Sequence, residues 1–149
     1  PQATIQLIEE TEKRLGVKLP GLLRSLYQTQ NGGYVGWLFA PMRSNPRFNT
    51  DDWRGVFSID FCELRPLEYL LTLDDALQDY SEELGDRVPK NASRMVVLSQ
   101  RYLDVTCLDY SQTGEPKVFI ADFDIYSSKQ ELRVDDFATF FESLKRLQS

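Results

Sequence analysis

The sequence predicts a single α+β domain with a largely antiparallel sheet. Three observations carry that reading. The chain has 149 residues, of which 42% are hydrophobic and 12% aromatic, enough for one domain with a real core. Amphipathic stretches of helical period lie near its start, its middle and its end. Between the last two, three apolar runs follow one another instead of alternating with helices, which is the grouping of an α+β chain.

The first helix is expected over residues 5–15. Ile5, Ile8 and Leu15 share a face, Glu9–Lys13 and Glu10–Arg14 are i,i+4 pairs in the favourable order, and Gly16 stops it. Pro20 suits the first position of a second helix, whose buried face is Leu22, Leu23 and Leu26 and which Asn31-Gly32-Gly33 ends. Strands are expected over 34–40 and 56–64, separated by a long loop rich in Pro, Asn, Arg and Asp. A third helix is expected over 72–84, with Thr72 as N-cap, Asp74 and Asp75 in its first turn and Leu73, Leu77, Tyr80 and Leu84 on one face. Strands follow over 95–99, 105–110 and 117–123, the last two joined as an antiparallel hairpin by the SQTGEP turn. A final helix is expected over 135–147, with Phe137, Phe140, Phe141, Leu144 and Leu147 as its apolar stripe. No repeat or linker divides the chain, so 1–149 is one domain.

Composition excludes several chemistries. The chain has no histidine, hence no Ser-His-Asp or Cys-His dyad, no imidazole metal ligand and no imidazole pH switch. Its 17 Lys plus Arg against 23 Asp plus Glu give a net charge of −6, which argues against a nucleic-acid binder. The N-terminal stretch is charged, with no apolar core of a signal peptide, and no run approaches the roughly 18–20 apolar residues that span a bilayer. A cytoplasmic protein that does not bind membranes is expected. Cys62 and Cys107 lie in apolar runs and read as buried free thiols, without CxxC spacing for zinc or redox work.

No motif points to catalysis. The carboxylate pairs Asp51-Asp52, Asp74-Asp75, Glu82-Glu83, Asp122/Asp124 and Asp135-Asp136 are neighbours in sequence, which does not place two carboxyls across a cleft. Asp122-Phe123-Asp124 starts like a calcium loop, but Ile125-Tyr126 breaks the ligand spacing. The glycines after Asn31 lead out of a helix and are no phosphate cradle. No metal, cofactor or catalytic residue is therefore expected. Trp37 and Trp53 are either core residues or surface anchors; Trp53, beside Arg54 in the polar loop, is the better interface candidate.

The run Ile8-Glu9-Glu10-Thr11-Glu12-Lys13-Arg14-Leu15-Gly16-Val17-Lys18-Leu19-Pro20, followed by Leu26 and Asn31-Gly32-Gly33, resembles the N-terminal signature of the SMI1/KNR4 (SUKH) family. Cys107-Leu108-Asp109-Tyr110, the Gly114-x-Pro116-x-Val118 turn and strand, and residues 134–144 resemble its later landmarks. Three positions depart from the pattern. Thr11 stands where an apolar residue is usual, Leu23 where an aromatic is frequent, and Asp136 where a Ser commonly begins the last helix. The resemblance implies helices packed on a mixed, mainly antiparallel sheet and a non-enzymatic role. Many bacterial members look like immunity proteins that neutralise a cognate polymorphic or contact-delivered toxin, whereas fungal relatives are linked to regulation of cell-wall synthesis.

Charge distribution bears on the partner. Residues 51–100 hold 11 acidic and 5 basic residues, whereas 1–50 come to +3. Asp74, Asp75, Asp79, Glu82, Glu83 and Asp86 occur in one stretch without a base. That stretch is either a solvated face or, with Trp53 and Arg54, a docking face for a basic protein such as a nuclease toxin. An immunity protein is the leading expectation, a scaffold or regulatory adaptor for endogenous partners the alternative. A small enzyme would need two carboxyls facing each other in a concave pocket, at least one with a raised pKa.

Overall fold

The computed structural model describes residues 1–34, 38–39, 63–124, 130–143 and 145–146. Helix α1 (Ile5–Leu15) starts where the Thr4 hydroxyl accepts the Leu7 N–H, and stops at Gly16, whose φ of 69° only glycine adopts cheaply. The buried stripe runs through Ile8, Thr11 and Glu12 and leaves Ile5 on the solvent side, 56% exposed, contrary to expectation. The buried Glu12 carboxylate accepts the Leu19 N–H at 2.7 Å, with the Lys18 ammonium 3.9 Å from its other oxygen. This fastens residues 16–20 back onto the helix they leave. Pro20 then precedes α2 (Gly21–Thr29) as its extended N-cap, one residue ahead of the expected position, and Leu23 and Tyr27 are the fully buried residues of that helix.

Short strands β1 (Gly33–Tyr34), β2 (Leu38–Phe39) and β3 (Glu63–Leu64) follow, with β1 and β3 antiparallel. The main sheet has five strands in the order β4 (Leu71–Thr72), β5 (Met95–Arg101), β6 (Asp104–Asp109), β7 (Lys117–Asp122) and β8 (Gln130–Asp136). Among the described residues every pairing in this sheet is antiparallel, in keeping with the mainly antiparallel sheet expected. The β6–β7 hairpin forms around the SQTGEP turn as expected.

Successive residues of these strands enter two different cores. Val96, Leu98, Leu108, Val118 and Ile120 pack with Ile8, Leu23, Tyr27, Leu67 and Phe137. Their neighbours Met95, Val97, Val105, Cys107, Phe119 and Ala121 pack with Leu73, Leu77 and Leu84. Because side chains alternate across a sheet, a strand buried on both faces reads as a continuous apolar run. That is why Met95–Leu98 has no polar alternation. Cys107 is a buried free thiol, as expected.

The segment 64–70 collects the N-terminal half. The Arg14 guanidinium donates to the carbonyls of Leu70 (2.9 Å) and Leu67 (3.0 Å) instead of pairing with Glu10. The buried Tyr27 hydroxyl donates to the Arg65 carbonyl at 2.7 Å, and burial raises its pKa far above the ordinary phenol range. Asn31 accepts the Leu67 N–H and donates to Glu68. Gly32, with φ 81°, brings its Cα so close that an added Cβ would lie 2.6 Å from the Pro66 nitrogen. A bulge between Val97 and Ser99 turns the Leu98 carbonyl out of the ladder to accept the Arg65 N–H at 2.9 Å, which joins this segment to the sheet.

Two helices differ from expectation. The 72–84 stretch is not one helix but α3 (Leu73–Ala76), a 3-10 turn at Gln78–Tyr80, α4 (Ser81–Leu84) and a 3-10 turn at Gly85–Arg87. A continuous helix would stack Asp75 on Asp79, Asp79 on Glu83 and Glu82 on Asp86, like-charge pairs that no base relieves. Thr72 occupies the expected N-cap position, but its hydroxyl donates to Asp74 and caps no backbone N–H. The last helix, α5, is shorter than expected (Phe137–Ser143), because β8 runs up to Asp136 and β9 (Lys145–Arg146) pairs with β2. Leu144, Leu147, Trp37, Cys62 and the 41–53 loop lie outside the described residues, as do most of the 34–40 and 56–64 strands.

The three departures from the family pattern have physical explanations. Thr11 is buried but satisfies its hydroxyl on the Leu7 carbonyl at 2.8 Å, so it packs like an apolar residue. Leu23 fills its core position with no exposure. Asp136 accepts the Thr139 N–H at 2.8 Å, doing the capping a Ser would do, and that bond lowers its pKa.

Gly32→Ala is expected to cost about 2–4 kcal/mol, through strain at positive φ and collision with the Pro66 backbone. Gly21→Ala, with open space at its Cβ, should be neutral or stabilise by up to about 1 kcal/mol. The thermal unfolding midpoint should fall for Gly32→Ala and hold or rise for Gly21→Ala. Glu12→Ala should cost about 2–3 kcal/mol by orphaning the Leu19 N–H, and Glu12→Gln, which keeps an acceptor, clearly less; denaturant unfolding reads both.

Candidate functional site

The broken helix presents its two sides very differently. Leu73, Leu77 and Leu84 are buried against Met95, Val97 and Val105 below. Asp74, Asp75, Asp79, Glu82, Glu83 and Asp86 are all exposed on the other side. The 3,4-spacing that predicts a buried stripe therefore survives the loss of a regular helix. Leu77, Tyr80 and Leu84 still point inward, with Tyr80 only half-buried. The six acidic residues of the sequence expectation thus share one exposed surface segment. Trp53 and Arg54 lie outside the described residues.

Two contacts join this segment to the far end of the sheet. Tyr80 and Tyr102 meet edge to face, with ring centroids 5.9 Å apart. Arg87 donates to the Asp124 carbonyl at 3.2 Å. Tyr102 sits in the two-residue β5–β6 turn at φ 55°, the left-handed region, and is 63% exposed. Sequence reasoning missed Tyr102, and Tyr69, 68% exposed, as accessible aromatics. Tyr102 was findable only by placing both flanking strands, since two residues between apolar runs mark a hairpin turn. Nothing in the sequence around Tyr69 marks it as exposed.

Asp104 and Asp122 stand directly opposite one another on β6 and β7. Desolvation at the strand end, then the charge of Asp122 and a carboxyl hydrogen bond with it, push the Asp104 carboxyl up to about 6. Here two carboxyls do face one another, as an acid–base enzyme would require. They are hydrogen-bonded to each other, however, whereas glycosidase carboxyls stand roughly 5 Å or more apart to admit the reacting atom. Asp122 also accepts the Asp124 N–H at 2.9 Å, and residues 125–129 lie outside the described residues. Among the described residues no group of three or more His, Cys, Asp or Glu is arranged to hold a metal ion. Among them, too, no helix is long and apolar enough to cross a membrane.

The SMI1 / KNR4 family (SUKH-1) model matches residues 2–143. The chain belongs to this family. Its members are generally non-catalytic binding proteins, commonly immunity proteins, and membership implies a protein partner. Comparison with curated proteins and with solved structures gives no match.

The scaffold and the acidic surface should separate by mutation. Leu77→Ala is expected to cost about 2–4 kcal/mol by opening a cavity beneath the segment. Asp79→Asn, on the exposed side, should change stability by no more than about 0.5 kcal/mol. Denaturant unfolding of each variant provides the comparison.

Proposed function

We propose that this protein is a cytoplasmic, non-catalytic immunity protein that neutralises a cognate toxin domain by direct binding. The toxin is of the polymorphic or contact-delivered kind, and its basic surface, such as a nuclease presents, docks on the acidic 74–86 segment. Family membership supports the binding role. The observation that carries the choice of surface is the run of six exposed carboxylates without a base, held on a segment whose other side is locked into the core. Such a surface raises the encounter rate with a cationic partner, and its rigidity reduces the ordering cost on binding. Tyr80 and Tyr102 add aromatic area at its edge, and Trp53 with Arg54 are the further anchors of this reading.

The purified chain mixed with the toxin domain encoded beside its gene should form a nanomolar complex that weakens as salt rises. Combined Asp74→Asn, Asp79→Asn, Glu82→Gln and Glu83→Gln substitutions should slow association roughly ten- to hundredfold and flatten the salt dependence, with dissociation changed far less. Stopped-flow or surface-based kinetics reads both rates. Lack of any complex would discard the immunity reading. Unchanged association in the quadruple variant would discard the docking surface alone.

A further inference from the structure

We propose that Asp104 and Asp122 form a proton latch that ties the start of β6 to the end of β7 when protonated and loosens the β5–β6 hairpin when ionised. The latch is a property of the isolated chain and does not depend on the identity of any partner.

The register carries the proposal. Asp104 pairs with Asp122 across β6 and β7, and with Arg101 across β5 and β6. Like charges directly opposite on neighbouring strands repel at the shortest side-chain separation a sheet offers. Asp124, just beyond Asp122, adds a third carboxylate, and Arg101 is the cation that opposes them. Arg87 reaches this corner through the Asp124 backbone carbonyl. A proton held between Asp104 and Asp122 converts the repulsion into a hydrogen bond, and its loss to solvent restores the repulsion. The raised Asp104 pKa accords with this crowding.

The folded state holds the Asp104 proton more tightly than the unfolded chain, whose carboxyl titrates near 3.8. The latch is therefore fully present below about pH 4 and is lost as pH rises through about 6. The hairpin it secures carries Tyr102, the residue that packs on Tyr80 beside the acidic segment. A chain without histidine thereby responds to mild acidification through carboxyls.

Amide hydrogen exchange followed by NMR tests this on the intact chain. The Phe123 N–H donates to the Leu103 carbonyl and the Asp124 N–H to the Asp122 side chain, so both report opening of this corner. The Tyr110 N–H, bonded to the Arg94 carbonyl at the other end of β6, is the control. After correction for intrinsic exchange, the opening constants at Phe123 and Asp124 should rise about tenfold between pH 4.5 and 7, with Tyr110 unchanged. Asp104→Asn should abolish that rise while retaining a donor to Asp122. Asp122→Asn, which removes the opposing charge but not the desolvation of Asp104, should diminish it and serves if the first variant folds poorly. Opening constants independent of pH in the wild-type chain would overturn the latch. So would an equal rise at Tyr110, or an undiminished rise in either variant.

Discussion

The buried carboxylate of Glu12 is the constraint around which the N-terminal half is arranged. A carboxylate out of water must be met by donors or it destabilises the fold. Here the Leu19 N–H meets one oxygen at 2.7 Å and the Lys18 ammonium approaches the other at 3.9 Å. The second oxygen accepts no hydrogen bond among the described residues, so the Leu19 N–H, with the Lys18 charge nearby, is what meets the carboxylate, and both groups come from the stretch that leaves α1 and reverses at Gly16. The same stretch presents the Lys18 carbonyl to the Tyr110 hydroxyl at 2.7 Å, which ties the reversal to the sheet. Burial, followed by the Glu12 charge, raises the Tyr110 pKa and keeps that hydroxyl a donor. The spacing Glu-x-x-Leu-Gly-x-x-Leu-Pro thus reads as one mechanical unit: a charge, a left-handed turn, an N–H that answers the charge, and a proline that opens the next helix.

A second unit follows from the first. With α1 and α2 set at this joint, Arg14, Tyr27 and Asn31 all reach the backbone of residues 65–70, a segment with few ladder bonds of its own. Backbone groups there would otherwise be buried without partners. Asn31-Gly32-Gly33 has a physical reason at each of its first two positions: the Asn side chain answers the Leu67 N–H, and Gly32 clears the Pro66 backbone. What looks like a helix terminator is also a clamp on a distant turn.

These restraints lead directly into β4 and the broken helix beyond it. The acidic segment is accordingly rigid on its inner side and charged on its outer side. The Tyr80–Tyr102 contact and the Arg87–Asp124 bond extend it to a sheet corner where carboxyls crowd. The six carboxylates from Asp74 to Asp86 are all exposed, and the proposed docking of a cationic protein rests on them.

The sequence by itself determined what depends on near neighbours. Both ends of α1, the strand runs from Met95 to Asp122, the SQTGEP hairpin and the buried identities of Leu73, Leu77 and Leu84 follow from periodicity, capping and turn chemistry. Of the proposed site it placed the six acidic residues on one exposed segment, because a stripe of buried leucines leaves the intervening residues outside. Tertiary structure decided what depends on contacts between distant residues. It gave Arg14 to the Leu67 and Leu70 carbonyls instead of Glu10, and made Tyr27 a core residue. It turned 130–136 into an edge strand whose charges mask its alternation, and set Asp104 opposite Asp122. Cross-strand register and the partner of a buried charge are pair properties of residues far apart in the chain, and no local pattern encodes them.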